Sequence, residues 1–396
     1  MQKFWLWLAT RKGLSPRGAA RAASCFPSVE ALYYADAAAY EAAGLKNYQP
    51  LLEKDLWLPT EILRRCYDLG ISLLTWQDAA YPQLLRSLED PPVVLYYRGL
   101  LPDFSGLSIA VVGTRGASAY GLAQARHLGY GLGRCGCTLV SGGAKGIDTA
   151  ALEGALTGGG PVVCVLGGGV DVVYPASNRS LFQDVVQRGC LLSEYPPGTR
   201  PKPEHFPVRN RIISGLCQGV VVVEAPEKSG ALITANWALD QGRDVFALPG
   251  NLGVANFGGN LRILREGAIL VRDVRDILQE YQGVYPELFQ KSTAVAEQPP
   301  QRAAEAPLPE TPAPTETPAA EAAEVRIDQA LLENMSLDEQ SICLLLREGI
   351  RQIDNIVDEA QIPAGRALAA LTLLEVKGVV RRLPGRRFAL AQAKNT

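Results

Sequence analysis

Glycine-rich loops that carry a cation or a hydroxyl recur between residues 107 and 250, and each follows a short apolar run rich in Val and Ile. Such loops suit phosphate groups, because glycine lets backbone N–H groups approach an anion and Arg or Lys supplies the opposite charge. The loops are Gly113-Thr114-Arg115, Ser141-Gly142-Gly143-Ala144-Lys145-Gly146, Gly167-Gly168-Gly169 and Glu224-Ala225-Pro226-Glu227-Lys228-Ser229-Gly230. A parallel α/β sheet gathers loops of this kind along one edge, so the pattern predicts a site for a polyanion.

The loop that begins at Ser141 lies between an expected strand and an expected helix, whose N-terminus adds unpaired N–H donors and a favourable dipole. Its candidate phosphate contacts are Ser141, Gly142, Gly143 and Lys145. The alternative is a tight turn whose Asp148 only complements the helix dipole. Arg115 and Lys228 follow other strands in the same way, and Arg115 presents a guanidinium fork that suits a phosphate. The alternative for Arg115 is a structural ion pair with a carboxylate. The alternative for Lys228 is that its side chain is simply exposed to solvent and binds no ligand.

Residues 200–211 concentrate four cations and one aromatic residue in what we expect to be a proline-stiffened loop. Lys202 and Arg209 are candidates for tracking a nucleic-acid backbone, and Phe206 offers a face on which a base can stack. A buried anchor for the loop is the alternative for Phe206. Arg211 is a weaker candidate contact, because it precedes the apolar pair Ile212-Ile213 and suits a buried ion pair equally well.

The sequence contains no convincing nucleophile-and-base set, so we expect no catalytic residues. The one GxGxxG stretch, residues 131–136, lies at the end of an expected helix and not between a strand and a helix, and GxxxxGK[ST] is absent, which argues against a dinucleotide or P-loop cofactor site. The eight cysteines include no CxxC pair, and only two histidines accompany them. We therefore expect no metal, no cofactor and reduced cysteines in the core.

Composition sets the class of protein. The chain has 396 residues, 47% of them hydrophobic, and a formal net charge of -2, which is typical of a soluble globular protein with two or three domains. A near-neutral chain is not a globally basic nucleic-acid binder, so any such affinity must come from local patches. No run approaches the ~20 apolar residues of a membrane helix, and the start of the chain is too short for a signal sequence, which predicts a cytoplasmic protein without membrane contact.

Residues 108–248 alternate between strand and helix patterns. This alternation predicts an α/β fold with a Rossmann-like, doubly wound and mostly parallel sheet, because strands buried on both faces are continuously apolar. The expected strands are 108–112, 138–140, 162–166, 190–192, 220–223 and 245–248, and the expected helices are 120–134, 147–156, 178–187 and 231–240.

Shifts in composition divide the chain into four parts. We expect a small helical domain of SAM or helix-hairpin-helix type in residues 1–80 and the Rossmann-like domain in residues 81–285. Residues 286–325 are rich in Pro, Ala and Glu, which predicts a linker, and residues 326–396 predict a winged-helix domain. In the last part, Ser336-Leu337-Asp338-Glu339 has the capping-box pattern, and residues 379–388 predict a basic hairpin. Such a domain binds DNA in some proteins and contacts other proteins in others.

Several unrelated motifs occur in one order between about residues 80 and 280: Val111-Val112-Gly113-Thr114-Arg115, Ser141-Gly142-Gly143-Ala144-Lys145-Gly146-Ile147-Asp148, Leu166-Gly167-Gly168-Gly169-Val170-Asp171-Val172-Val173-Tyr174-Pro175, Phe206-Pro207-Val208-Arg209-Asn210-Arg211-Ile212-Ile213-Ser214-Gly215-Leu216 and Lys228-Ser229-Gly230-Ala231-Leu232-Ile233-Thr234-Ala235. In these motifs the chain resembles the DNA-processing protein A (DprA/Smf) family.

The resemblance implies a homodimer without catalytic activity that binds single-stranded DNA. It implies that the protein protects incoming DNA and helps to load a RecA-type recombinase in natural transformation and recombination. By motif position, the DNA-binding residues are Arg115, Ser141, Gly142, Gly143, Lys145, Lys202, Phe206, Arg209, Arg211 and Lys228.

Two other functions remain open at this stage. The first is a nucleotide-hydrolysing phosphoribohydrolase on a related fold. Enzymes of that type carry a PGGxGTxxE signature, and its catalytic Glu is missing from the matching stretch Lys228-Ser229-Gly230-Ala231-Leu232-Ile233-Thr234-Ala235. The second is a protein-interaction scaffold, which would leave Arg115, Lys145 and Lys202 without a role.

Overall fold

The structure is a computed structural model that describes residues 1–297, 335–347, 349, 351–360, 362–377, 379–383 and 387–390. The chain divides into two compact units, Met1–Ala303 and Ala304–Thr396. The larger unit contains a helical front and a nine-stranded sheet, and the smaller unit contains three helices and a three-stranded sheet among its described residues.

The helical front is built from five helices: α1 (Gln2–Ala9), α2 (Pro16–Ser24), α3 (Val29–Tyr34), α4 (Ala37–Ala42) and α5 (Trp57–Asp68). Ser15, Ser28 and Asp36 each accept a hydrogen bond from a backbone N–H in the first turn of the following helix, which is the usual N-terminal cap. Five consecutive residues of α1, from Phe4 to Leu8, are buried. A helix that is apolar all round belongs in the centre of a core, and α1 has that place here.

The sheet runs in the order β1-β2-β6-β5-β4-β3-β7-β8-β9. The strands from β3 to β9 are parallel, whereas β2 pairs antiparallel with both β1 and β6. The strands are β1 (Ser72–Thr75), β2 (Val94–Gly99), β3 (Ser108–Val112), β4 (Thr138–Ser141), β5 (Val162–Val165), β6 (Gly189–Ser193), β7 (Gly219–Val222), β8 (Asp244–Ala247) and β9 (Ile269–Leu270). The expectation of a doubly wound, mostly parallel sheet is confirmed.

Helices cover both faces of this sheet, as α6 (Gln83–Arg86), α7 (Ala119–Cys135), α8 (Ile147–Gly158), α9 (Arg179–Arg188), α10 (His205–Gly215), α11 (Gly230–Asp240), α12 (Gly258–Arg265), α13 (Val274–Glu280) and α14 (Pro286–Glu297). Along β3, Ile109 and Val111 belong to the core on one face, and Ala110 and Val112 to the core on the other. The predicted strands and helices agree with these elements within two residues at each end.

Three features of this unit differ from the sequence-based expectation. The expected loop 200–211 is wrong from His205 onward, where α10 begins, because Pro207 lies in the first turn of that helix and no backbone N–H bond is required there. Residues 72–75, which we placed in the helical domain, form β1 of the sheet. Residues 286–297, which we placed in the linker, form α14, whose Leu288 is buried in the core; the linker residues 298–325 lie outside the described residues.

The smaller unit has the winged-helix architecture that the sequence predicts. Its elements are α15 (Leu337–Arg347), β10 (Arg351–Gln352), α16 (Ile353–Ala360), α17 (Ala364–Val376), β11 (Val380–Leu383) and β12 (Arg387–Leu390), and the strand order is β10-β12-β11. The Ser336 N–H donates to Glu339 Oε2 at 2.7 Å, and the Glu339 N–H donates to Ser336 Oγ at 3.3 Å. This reciprocal pair confirms the capping box. The hairpin tip 384–386 lies outside the described residues.

All eight cysteines are free thiols, and every one except Cys25 is buried. In the part of the chain that the structure describes, none of the helices has the length and apolar character needed to span a bilayer.

Candidate functional site

The path of the chain through the sheet creates a crevice beside β3. Strands β4, β5 and β6 lie on one side of β3, and β7, β8 and β9 lie on the other, so the direction of winding reverses between β3 and β7. Loops that leave neighbouring strands in opposite directions open a crevice at such a switch point, and ligands of open α/β sheets bind there. A cavity of about 350 Å³ lies at this place, lined by the loops after β3, β4 and β7 and by α10 and α11.

The cavity contains three of the predicted cations and the predicted aromatic residue. Arg115, Phe206, Arg209 and Lys228 all line it, and Asp148 is the single acid among its described lining residues. Arg115 and Lys228 are exposed, and neither forms an ion pair with any residue that the structure describes. Their positive charges are therefore free to meet an anion.

Phe206 stands at the centre of a cluster of cations and rings. The guanidinium carbons of Arg115 and Arg209 lie 5.1 Å and 5.7 Å from the centroid of its ring, within the range of cation–π attraction. The ring of Tyr174 lies 5.9 Å away, tilted by 42°. Phe206 is only half-buried, so part of its ring remains available to a flat ligand.

Arg209 is a buried residue that joins the ends of two neighbouring strands. Its Nη1 donates to the carbonyl of Gly142 at 2.8 Å and also to the carbonyl of Val165, so one guanidinium joins the loop after β4 to the end of β5. Its Nε donates to Asn210 Oδ1 at 3.2 Å. Burial lowers the pKa of Arg209, partly offset by the nearby carboxylate of Asp148. Arg209 thus forms part of the cavity wall and contributes positive charge to it.

Asp148 is a buried carboxylic acid at the start of α8. Burial raises its pKa to about 6, although Arg209 and the backbone N–H groups of Gly113, Gly142 and Ala144 oppose this effect. The Ala144 N–H donates to its Oδ2 at 3.3 Å. Asp148 therefore occupies N–H groups of the loops after β3 and β4, and its charge near pH 6 modulates the positive potential of the cavity.

The remaining predicted residues of the β4 loop have mostly structural contacts. The hydroxyl of Ser141 is buried and donates to the carbonyl of Val111 at 2.7 Å. The carbonyl of Gly143 accepts from Asn178 Nδ2 at 3.0 Å. Lys145 is exposed beside the lining residue Ala144 and forms no ion pair within the described ranges. Of this loop, Lys145 is the one side chain that points charge toward solvent.

Gly146 brings the loops after β3 and β4 into contact. Its φ of 85° lies in the region that favours glycine. A Cβ on this residue would lie 2.8 Å from the carbonyl oxygen of Arg115, and the carbonyl of Thr114 is even nearer. A side chain at this position would therefore push apart the two loops that carry Arg115 and Lys145.

Six predicted contacts are not among the lining residues of the cavity: the four of the β4 loop, Ser141, Gly142, Gly143 and Lys145, and also Lys202 and Arg211. Lys202 is exposed in the segment before α10, and its Nζ is 4.0 Å from the exposed carboxylate of Glu204, which is a weak surface pair. Arg211 is only 2% exposed and bonds two carboxylates, with 3.1 Å from its Nε to Asp90 and 2.6 Å from its Nη2 to Glu194. The structure thus gives Arg211 the ion-pair role that sequence reasoning kept as its alternative, since the next residues of α10 are core residues.

Tyr174 was not among the predicted contacts, but the structure brings its ring against Phe206 and leaves it 48% exposed. Its place after the Gly167-Gly168-Gly169 turn, at the same edge of the sheet, was the available signal. The described residues contain no group of three or more potential metal ligands.

Comparison with known proteins adds an independent line of information. Residues 72–282 match the family described as DNA recombination-mediator protein A, and residues 303–386 match the DprA winged helix domain. The chain is 34% identical over 395 residues to protein Smf of Synechocystis, with 98% of both chains covered. It is 40% identical over 245 residues to the DNA processing protein DprA of Bacillus subtilis, which covers 61% of this chain and 80% of that protein. The crystal structure of DNA processing protein A from Streptococcus pneumoniae matches with a TM-score of 0.63 and 34% identity, over 71% of this chain and 98% of that one.

Proposed function

The chain belongs to the DNA recombination-mediator protein A (DprA/Smf) family, and on this premise we propose that it binds single-stranded DNA in the cavity beside β3. Through this binding it protects incoming strands and helps to load a RecA-type recombinase onto them in natural transformation and recombination. The proposal includes action as a homodimer in the cytoplasm, and it assigns the protein a binding role without catalysis.

The observation that carries the proposal is the combination of free cations and an accessible ring in one cavity. Arg115 and Lys228 have no ion-pair partner in the described ranges, and Phe206 lies between the cationic loops. Cations that follow the backbone and an aromatic face that receives a base are the two elements of single-strand recognition. An unpaired base can reach such a ring, whereas a base within a duplex is covered by its stacked neighbours.

The arrangement of acids supports a binding role. Hydrolysis of a nucleotide requires a general acid or base that reaches the substrate. Asp148 is buried and held by loop N–H groups. Glu224, two residues after β7, is fully buried and accepts hydrogen bonds from the backbone and hydroxyl of Ser118 and from Asn256. Both carboxyls are thus engaged in holding loops together.

The direct test is fluorescence anisotropy with labelled oligonucleotides and the full chain. We expect tighter binding to single strands than to duplexes, and steep weakening with salt, because each neutralised phosphate of a single strand contributes a slope of about 0.7 in log K against log[salt]. The Arg115→Ala/Lys228→Ala variant should bind more weakly and with a shallower slope. A matched control is Arg134→Ala/Lys291→Ala, which removes the same charges from exposed positions on α7 and α14.

Equal loss of affinity in both double variants would mean that only net charge matters and would contradict the cavity as the binding site. Absence of DNA binding, together with release of a base from nucleoside monophosphates, would instead support the phosphoribohydrolase alternative. Recombinase loading is tested separately, by the rate at which a RecA-type protein forms filaments on single strands already covered by a single-strand binding protein. The cavity variant should lose any acceleration.

A further inference from the structure

A second cavity opens in the helical front, outside the residues 72–282 that match the recombination-mediator family. Its volume is about 320 Å³, and it lies between the turn that leads into α2 and the turn that follows α4. Gly13 and Gly44, with φ of 80° and 72°, form these two turns, and each is followed by a leucine that lines the cavity. The cavity thus lies where two similar glycine-leucine turns face each other.

The charged side chains that line this cavity are all basic. Arg17, Arg21 and Lys46 line it, and its described lining contains no acidic residue. All three side chains are exposed, so their charges can move toward a ligand at the cost of little desolvation. In a chain whose net charge is -2, three cations without an acid among them form a local basic patch.

The existing partners of these cations are weak. Lys46 has no hydrogen-bond or ion-pair partner among the described residues. Arg21 Nη2 reaches the carbonyl of Gly44 only at 3.5 Å. Arg17 Nη1 is 3.1 Å from Glu89 Oε2, but the two side chains are 70% and 80% exposed. Because an exposed pair of this kind contributes little, a phosphate can displace Glu89 from Arg17 and can meet Arg21 and Lys46 without breaking a strong contact.

We propose that this front cavity, defined by Arg17, Arg21 and Lys46, is a second contact for the sugar-phosphate backbone of a nucleic-acid strand. The inference rests on the proposed function, since it extends the DNA path beyond the cavity beside β3. The polar residues Ser15 and Asn47 add neutral hydrogen-bonding groups to the same wall. A strand held at both places binds with the benefit of effective concentration, so the second contact matters for long strands and not for short ones.

The form of the site favours a passing strand over a single small anion. A small phosphate is held best by buried, convergent donors, and these three cations are long, exposed side chains around an open cavity. Flexible cations that each meet a separate phosphate are typical of contacts that follow a backbone without reading bases. The described lining includes no aromatic residue, so the site contacts the backbone and does not stack bases.

The test compares two oligonucleotide lengths in the full chain with Arg21→Glu/Lys46→Glu and with the matched control Arg134→Glu/Lys291→Glu. A strand of about 6 nucleotides fills one site, and a strand of about 40 nucleotides reaches well beyond one site of ~4–16 nucleotides. For the long strand we expect about tenfold weaker binding by the front variant and a salt slope lower by about 1.4, which corresponds to two phosphates. For the short strand, affinity should change by less than about twofold.

Equal affinity of the front variant and the control for the long strand would overturn the inference. A second result would also overturn it. If inorganic phosphate raises the melting temperature of the unaltered chain but not of the front variant, and both bind the long strand equally, the site serves a free anion. If the unaltered chain binds neither length, the proposed function itself has failed, and this inference fails with it.

Circular dichroism checks that the front variant is folded. If it is not, a photo-crosslinking residue placed at Asn47 of the otherwise unaltered chain decides the question. Crosslinks to the long strand support the inference, and their absence under saturating DNA contradicts it.

Discussion

The guanidinium of Arg115 lies 5.1 Å from the centre of the Phe206 ring, although one residue follows β3 and the other lies in the first turn of α10. The arrangement places a positive charge and an aromatic face side by side at the mouth of one cavity. In a complex with a single strand, the guanidinium can meet a phosphate while the ring receives a base. The two residues therefore make separate contributions that separate experiments can measure.

Replacement of Phe206 by alanine should weaken single-strand binding without changing its salt dependence. Base stacking on an aromatic ring contributes about 1–3 kcal/mol, which corresponds to a loss of about 5-fold to 150-fold in affinity. Anisotropy titrations at several salt concentrations measure both quantities. Phe206→Tyr keeps the ring and should bind nearly as the unaltered chain does. An alanine variant with unchanged affinity would assign Phe206 a packing role only.

Replacement of Arg115 by alanine should give the opposite signature. Loss of one phosphate contact lowers the slope of log K against log[salt] by about 0.7 for a single strand, and affinity falls most at low salt. Arg134→Ala, on the exposed surface of α7, is the matched control. A slope that stays the same in the Arg115 variant would show that its guanidinium serves the Phe206 ring and meets no phosphate.

Single-strand affinity should increase as pH falls from 7.5 to 5.5, because the pKa of Asp148 is raised to about 6. Protonation removes a negative charge from the wall of the cavity, so a phosphate meets less repulsion. Asp148→Asn carries no such charge, so its affinity should vary less over this range. At pH 7.5 the variant should bind as tightly as the unaltered chain does at pH 5.5. A pH profile that is the same in both proteins would place the titrating group elsewhere.

The same carboxyl should affect the free energy of unfolding. In the folded chain Asp148 keeps its proton up to a pKa of about 6, whereas the unfolded chain loses it near the ordinary value of 3.8. The folded state thus binds more protons between these values, and its stability falls as pH rises through them, by about 3 kcal/mol in total from this group. Urea unfolding at pH 4.5, 5.5 and 7 measures the free energy of unfolding of the unaltered chain and of Asp148→Asn. As pH rises, the asparagine variant should become more stable relative to the unaltered chain. A constant difference would contradict the raised pKa.

Replacement of Arg211 by methionine should destabilise the fold and leave DNA binding by the folded protein unchanged. The change leaves the carboxyls of Asp90 and Glu194 without their cation, and breaking a buried pair in this way costs about 3–5 kcal/mol. Chemical denaturation measures the loss, and anisotropy below the unfolding range measures affinity. The double variant Arg211→Met/Glu194→Gln should recover part of the stability. A stable single variant with reduced affinity would return Arg211 to the list of DNA contacts.

Much of the fold followed from local pattern. Strands such as β3 and β7 are buried on both faces, so their residues are continuously apolar and their limits are readable. The capping box at Ser336 and Glu339 also marked a helix start through adjacent residues. Strands β1 and β2 were not predicted, because an antiparallel edge is defined by its pairing with β6 and with each other, and that pairing lies between distant residues.

The sequence by itself determined the chemistry of the loops: which strands end in glycine and which loops carry cations. Only the tertiary structure decided how those residues divide between binding and support. Arg209 and Arg211 are separated by one residue, yet α10 directs the first toward the wall of the cavity and the second toward Asp90 and Glu194. A helix turns successive side chains to different faces, and what each face meets depends on elements that are far away in the chain. For that reason the pattern of charges could be predicted, and the partner of each charge could not.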